Sequence, residues 1–561
     1  MISFQKKPPV RRKFTTLELP LRIIFCLLLC LGIQVQAASP EAVHGSHGMV
    51  VSRSRAASEA GIAIMKNGGN AIDAAVATGF ALAVAYPSAG NIGGGGYAVV
   101  YLQDGTVTTL DHRETAPAKA SRDMFLNGQG GIIPGMSRQT HAASGVPGSV
   151  DGLLTLLERY GTKSRREILA PAIRLAAEGI VLTEDMVRQF NFVTRSMQNH
   201  PASLKIFTNN GKPWQIGELW KQPDLARTLS LIAERGRDGF YRGEIAGLIV
   251  AEMQRGNGLI TLEDLAAYKS VWREPIKGSY RGYDIYGMPP SSSGGVLITM
   301  MLNMLEPYDL KSLGWGSSGA VHLLVEAERR AYADRMQHLG DMDYYPVPVA
   351  RLTSKDYARE RFGDFDSRRA TSSAKYGTVP AAVESLQTTH FSVMDGAGNA
   401  VALTTTLNSS FGNRIVVPGA GFLLNNEMDD FSIKENTANQ FGLLGRAANS
   451  IEPGKRMLSS MSPTIVVKDG KPFLITGSPG GSTIITTVLQ VIVNVIDFGM
   501  GIEDAVALPR FHHQWQPDAI MHDPYALSPD TQAKLKAMGH PELRSVPFGR
   551  GMGDANSILY Q

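Results

Sequence analysis

The segment Thr388-Thr389-His390-Phe391-Ser392-Val393-Met394, directly after Gln387, holds the residues best suited to covalent chemistry. A threonine hydroxyl in mid-chain is a poor nucleophile. A threonine that becomes a new N-terminus brings its own base, because an α-amine titrates at roughly 7.7–8.0 and is partly neutral near pH 7. Self-cleavage between Gln387 and Thr388 would turn an inert precursor into a hydrolase. β-Branching limits χ1 of Thr388 and helps hold Oγ in an attack direction. A second run, Thr404-Thr405-Thr406, lies on a strand expected to pair with the first, which brings the Thr406 hydroxyl toward Thr388. Gly480-Gly481 open a predicted helix, where bare backbone amides and the helix N-terminus can hold an oxyanion. Taken singly, a Thr-Thr pair is also ordinary β-rich sequence, and Gly-Gly an ordinary turn.

A second group of polar residues suits a zwitterion. Arg113 follows a strand in Asp111-His112-Arg113-Glu114, and Ser459-Ser460 lie on a loop. One guanidinium and two hydroxyls match a carboxylate. Asn408, Glu427 and Asp430, an amide and two acids, match an ammonium. Together they would hold the head group of an α-amino acid. Other chemistries lack their signatures. There is no Gly-Lys-Ser/Thr phosphate loop, no Gly-x-Ser-x-Gly elbow and no His-Glu-x-x-His zinc motif. His512-His513 has no third ligand at helical spacing and reads as a structural pair. No metal and no cofactor are expected.

The elements that must position these residues can be read along the chain. Ser54 to Lys66 reads as a helix closed by Gly68-Gly69, and Asn70 as the cap of a buried helix from Ala71 to Ala85. Tyr97 to Gln103 and Thr106 to Leu110 form a predicted hairpin around Asp104-Gly105. Residues from about 150 to 280 read as mostly helical, with Glu263-Asp264 and Arg273-Glu274 as solvated faces. Lys355 to Gln387 is polar and without periodicity, a surface segment leading to the cleavage site. Thr389 to Met394 and Ala400 to Leu407 flank Asp395-Gly396-Ala397-Gly398-Asn399; Thr464 to Lys468 and Pro472 to Thr476 flank Asp469-Gly470. An apolar helix then runs to about Phe498. Strands and helices in this order imply packed sheets covered by helices.

Composition narrows the class. The chain has 561 residues, 43% hydrophobic and 19% charged, as in a soluble globular protein. Its net charge of +4 misleads, because Met1 to Ala37 carry six basic residues against Glu18. The remainder holds 49 basic and 50 acidic residues, which argues against a nucleic-acid partner. Residues 1–37 read as a secretory signal: a basic stretch, an apolar core from Ile23 to Ile33, and small residues at Val35-Gln36-Ala37. An uncleaved membrane anchor is the alternative. Both cysteines, Cys26 and Cys30, fall in this segment, so the mature protein would contain none, as suits a periplasm.

Several blocks together resemble the γ-glutamyltranspeptidases, which are N-terminal nucleophile hydrolases. They are Asn91 to Gly96, Asp111 to Lys119, Gly145 to Gly148, Thr388 to Val393, Leu424 to Phe431, Leu458 to Pro463 and Thr476 to Ser482. The resemblance extends from about Val50 to about Asp530. It implies an α+β fold, a four-layer αββα sandwich, in one chain self-cleaved into a large subunit, 38–387, and a small subunit, 388–561. These would stay together as a heterodimer. It implies Thr388 as nucleophile toward Gln387 and then toward γ-glutamyl amides such as glutathione, with amino acids or dipeptides as acceptors. Thr406 would orient the amine, and Gly480 and Gly481 would form the oxyanion hole. Arg113, Ser459 and Ser460 would hold the α-carboxylate, and Asn408, Glu427 and Asp430 the α-amine. Some relatives have Gln where Glu427 stands. Glu435 to Arg446 resembles a lid with Phe441 in place of a frequent Tyr, so a looser gate is expected. From about Gly539 the family's pattern fades, and the sequence ends at Ile558-Leu559-Tyr560-Gln561, where relatives run on; a shortened C-terminus is expected to weaken maturation. Two other readings remain: an acylase of the same fold acting on β-lactam side chains or poly-γ-glutamate, and a maturation-defective binder of γ-glutamyl peptides.

Overall fold

The structure, a computed structural model, describes residues 40–377, 388–547 and 551–561. Gln387 and the proposed signal lie outside them. Two antiparallel sheets form the centre. The first joins β1 (Gly48–Ser52), β2 (Gly95–Tyr101), β3 (Val107–His112) and β4 (Val271–Arg273) to β7 (Thr389–Asp395) and β8 (Ala400–Thr406), in the order β1-β7-β8-β2-β3-β4. The second joins β5 (Ile276–Tyr280), β6 (Tyr283–Gly287), β9 (Thr464–Lys468), β10 (Lys471–Thr476) and β11 (Ile558–Leu559), in the order β11-β10-β9-β6-β5. Period-2 alternation sorts the side chains of each strand. Val99, Tyr101, Met394, Ala400 and Ala402 face Ile465, Val467 and Ile475 between the sheets. Ala98, Val100, Phe391, Val393, Val401 and Leu403 face outward into a helical layer.

That outer layer contains α1 (Arg55–Lys66) and α2 (Ala71–Ala85). Every residue of α2 is buried, and its small side chains admit close neighbours. Its start is fixed by a capping box: the Asn70 side chain accepts from the backbone N–H of Ile72 and Asp73, and Asp73 accepts from that of Asn70. On the second sheet lie α3 (Gly294–Leu305), α4 (Ser318–His338) and α5 (Ile484–Ile496), which share a core with Ile285, Val466 and Leu474. The result is the four-layer αββα sandwich of an α+β fold.

Three local readings need correction. Residues 271–287 are strands, because β4 finds a partner in β3 and β5-β6-β9 form a continuous ladder. Arg273 is not on a solvated face; its Nε donates to Asp111 at 2.9 Å and its Nη2 to Asp343 at 2.6 Å. Lys355–Phe362 is a helix capped by Ser354, with Tyr357, Ala358 and Phe362 buried. At the chain's end, Ile558 and Leu559 pair with Ile475 and Leu474, so residues of this chain occupy that sheet edge. Ser392 Oγ also donates to the Asn556 carbonyl at 2.7 Å.

The capping analysis gives a stability prediction. Asn70→Ala removes a side chain that also donates to the Tyr160 carbonyl at 2.7 Å. It should destabilise the protein by about 1–2 kcal/mol, read as a lower urea midpoint, with KM unchanged. An unchanged midpoint would show that the cap contributes nothing.

Candidate active site

The site begins with strand register. Thr389 stands opposite Thr405 in the β7–β8 ladder, so Thr388 and Thr406 come together one step further along. Alternation directs both to the face between the sheets. Their Oγ atoms are 3.5 Å apart, with Thr388 donating, and Thr406 Oγ accepts the Asn408 N–H at 2.9 Å. The Asp395–Asn399 turn fixes this register. Asp395 Oδ1 accepts from the backbone N–H of Ala397 and Asn399, both at 3.0 Å, while Oδ2 accepts from Ala71 N–H at the start of α2. His390, next on the same face, is no base for this chemistry. Its ring nitrogens meet Thr404 Oγ1 at 2.8 Å and Ser392 Oγ at 3.1 Å, and burial pushes its pKa down to about 3.

A small cavity opens beside Thr388 and Thr406. Asn408, Glu427, Asp430, Arg113, Ser459, Ser460 and Gly481 also line it, so nine of the ten residues singled out from sequence surround one space. The tenth, Gly480, precedes Gly481. Both glycines have positive φ, 137° and 57°, and Gly481 starts the 3₁₀ turn Gly481–Thr483 that leads into α5. A Cβ on Gly480 would lie 2.5 Å from Thr483 Oγ1. The backbone here needs glycine in both conformation and space. Leu458, Met461, Phe441, Leu443 and Ile484 supply an apolar wall.

The loop Asn425 to Phe431 places its acids residue by residue. Asn425 is the anchor: its Nδ2 donates to the carbonyls of Gly93 and Gly145, and its Oδ1 accepts from Gly145 N–H and Glu427 N–H. Asn426 Oδ1 accepts the Ser409 N–H at 2.9 Å. Met428 and Phe431 are buried in an apolar cluster. Asp429 accepts from Ser137 Oγ at 2.5 Å and from Gln440 N–H at 3.1 Å. Glu427 and Asp430 are left to face the cavity and Arg113.

Arg113 is fully buried and fully engaged. Its Nη1 lies 2.6 Å from Glu427 Oε2 and 3.5 Å from Glu114 Oε2. Nη2 donates to Asp430 Oδ2 at 2.6 Å and Nε to the Met457 carbonyl at 3.3 Å. The Glu427 contact is close but lacks hydrogen-bond alignment, since neither of its carboxyl oxygens is satisfied by a hydrogen bond. Three buried carboxyls thus share one guanidinium. Burial pushes all three upward against the pull of Arg113: Glu114 to about 8, Glu427 well above the usual carboxylate range, and Asp430 upward. Burial thus favours the protonated forms in this cluster. An ammonium beside Glu427 and Asp430 would favour the ionised forms.

Three site components were not foreseen. Arg335, on α4, lines the cavity. Asn91 ties the end of β8 in place: its Nδ2 donates to the Thr406 carbonyl at 2.9 Å, and its Oδ1 accepts from Gly94 N–H and Ser149 Oγ. An asparagine just before a glycine run was the available signal. Asn439 Nδ2 donates to Asp430 Oδ1 at 3.1 Å. With the Gln440–Asp429 bond, and Ser409 Oγ donating to Gln440 Oε1 at 2.8 Å, it ties segment 435–446 over the acids. Phe441 packs there, 5% exposed. His512 and His513 do form a structural pair, meeting Thr486 Oγ1 at 2.8 Å and Asp518 Oδ1 at 3.2 Å.

Paired threonines at a strand end, a glycine turn leading into a helix and a cradle of acids, guanidinium and hydroxyls thus meet at one cavity of an αββα sandwich. The family model for gamma-glutamyltranspeptidase matches residues 57–558. The chain belongs to the gamma-glutamyltranspeptidase family. The glutathione hydrolase proenzyme of Escherichia coli is 49% identical over 519 residues, covering 92% of this chain and 89% of that protein. Among solved structures, the cephalosporin acylase of Bacillus halodurans superposes with a TM-score of 0.81 at 27% identity, over 94% of this chain and 95% of that one. The Helicobacter pylori gamma-glutamyltranspeptidase chain is 44% identical, with a TM-score of 0.58, and covers 59% of this chain and 95% of its own. The family is thus one of N-terminal nucleophile hydrolases made as proenzymes.

The carboxyl cluster predicts proton release on binding. Glutamate, bound near pH 6 and followed calorimetrically in buffers of different ionisation enthalpy, should release protons. Its affinity should rise with pH, because the ammonium favours the ionised carboxyls whose pKa values burial raises. Glu427→Gln should reduce the release and flatten the pH dependence. Equal release by both proteins would place the proton outside this cluster.

Proposed function

We propose that the protein is a γ-glutamyltransferase and glutathione hydrolase that matures by cutting itself before Thr388. In the precursor, Thr388 Oγ attacks the Gln387 carbonyl carbon and the peptide C–N bond breaks. The Thr388 nitrogen takes the proton, and water then hydrolyses the resulting ester. The products are a carboxylate on Gln387 and a free amine on Thr388. In the mature enzyme this amine takes the Oγ proton as Oγ attacks the γ-carbonyl of a γ-glutamyl amide. The backbone N–H groups of Gly480 and Gly481 hold the oxyanion. The amide C–N bond then breaks, and the leaving amine receives the proton. A γ-glutamyl ester of Thr388 remains, to be opened by water in hydrolysis or by an amino acid or dipeptide amine in transfer. Thr406 orients the Thr388 amine. Glu427, Asp430 and Asn408 hold the α-ammonium, while Arg113, Ser459 and Ser460 form the carboxylate side. The two products of self-cleavage stay joined as a heterodimer, and residues 1–37 direct export to the periplasm.

The observation that carries this reading is the convergence of the Thr388–Thr406 pair, Gly481, both acids and both serines on one small cavity. The charged cradle favours an α-amino-acid head group over an acyl chain that lacks the α-amine. The test is a donor panel. γ-Glutamyl anilide should be turned over at least about 100-fold more efficiently than the glutaryl anilide that lacks the amine, as expected where buried polar groups lose their partner. Equal turnover would favour the acylase reading. Thr388→Ala should remain one uncut chain without activity on either donor. Two-chain maturation of that variant would remove Thr388 from the mechanism.

A further inference from the structure

The cradle has a charge asymmetry that the assigned residues do not resolve. Arg113 already faces three carboxyls, and its three nitrogens all have protein partners. It lines the same cavity as Ser459 and Ser460. A substrate α-carboxylate placed against those serines has to share Arg113 with the acids, which leaves a need for a second cation on the serine side. Arg335 meets that need. It is 4% exposed and lines the cavity with both serines and Thr388. Among the described residues no carboxylate lies within ion-pair distance of it. Its Nε donates to Ser293 Oγ at 3.0 Å and its Nη2 to Ser460 Oγ at 3.3 Å. Asp430 acts on it only from beyond ion-pair distance, and a buried guanidinium so loosely paired gains from an incoming anion. Burial lowers its pKa to about 10, so it remains charged at neutral pH.

The hydrogen-bond directions agree. Ser460 Oγ accepts from Arg335, and Ser459 Oγ accepts from the Met461 N–H at 3.1 Å. Each hydroxyl, having accepted from the protein, keeps its own O–H to donate. An ionised carboxylate only accepts, so two serine O–H groups beside a guanidinium with no direct ion pair match it. Arg335 also holds the loop that presents them. Ser293, its Nε partner, donates from Oγ and from N–H to the Ser459 carbonyl at 2.7 and 2.8 Å.

We propose that Arg335 is a positioning and specificity-determining residue that orients Ser460 and balances the charge of the donor's α-carboxylate. This rests on the γ-glutamyl reading. The experiment compares two anilide donors, γ-glutamyl and 4-aminobutyryl, the second keeping the amine but lacking the α-carboxylate. Wild-type preference for the γ-glutamyl donor tests the functional reading; the variants test Arg335. In Arg335→Gln, KM for the γ-glutamyl donor should rise about 10- to 100-fold, the factor associated with one charge-assisted contact, with kcat within about 3-fold and little change for the 4-aminobutyryl donor. Ser460→Ala should reproduce part of this, and the double variant should add less than the sum, since one interaction is removed twice. If Arg335→Gln does not mature, Arg335→Lys serves, because a single ammonium keeps the charge but lacks the fork that reaches both Ser293 and Ser460. A carboxylate-selective rise in KM supports the assignment. An equal loss on both donors, or a fall in kcat alone, overturns it and leaves Arg335 a structural tie.

Discussion

The pairing of β7 with β8 is the constraint on which the site depends. Thr389 opposite Thr405 brings Thr388 and Thr406 to one face at the end of the ladder. A slip of β7 by one residue would turn the Thr388 hydroxyl into the helical layer and away from Thr406, because side chains alternate with a period of two. The register is held at both ends. Asp395 closes the turn and accepts from the first turn of α2, while Asn91 holds the Thr406 carbonyl. Burial then makes it rigid: Phe391, Val393, Val401 and Leu403 are locked into one core, and Met394, Ala400 and Ala402 into another. The nucleophile is thus aimed by a sheet and not by a loop, which suits a reaction sensitive to sub-ångström placement.

Around this fixed centre the polar residues divide by charge. The loop 425–431 brings two acids to Arg113, already beside Glu114, and so forms a buried acidic region. The loop 459–460, held by Ser291 and Ser293, presents hydroxyls backed by Arg335. On the proposed reading, a zwitterion enters this dipolar cavity in one orientation, which sets the γ-carbonyl near Thr388 and the amides of Gly480 and Gly481. Specificity for an α-amino-acid head group and alignment for attack then have the same physical origin.

Much of this was legible in sequence because local pattern decided it. The alternation in Thr388 to Met394 and Ala400 to Thr406, the Asp-Gly turns and the Asn70 cap each encode their own structure. The resemblance to a known family supplied the polar residues, which spacing alone would have left as scattered loop positions. What was not legible depends on distant packing. Arg329, Arg330 and Arg335 look alike along α4, yet Arg330 pairs with Glu326 and Asp364, Arg329 with Glu326 and Asp518, and only Arg335 reaches the cavity. Helix rotation against the sheets makes that choice. Likewise, Glu427 and Asp430 reach Arg113 from more than 300 residues away, a meeting that no local pattern encodes. The short strands at 271–287 escaped notice because their ladder partners, not their composition, define them.

The central claim is that strand register makes Thr388 a nucleophile with its own amine. Intact mass and N-terminal sequencing of the purified, matured protein test it most directly. The account predicts two chains that copurify, the smaller beginning at Thr388. A single uncut chain that still turns over γ-glutamyl anilide, or a small chain beginning at any other residue, would contradict it.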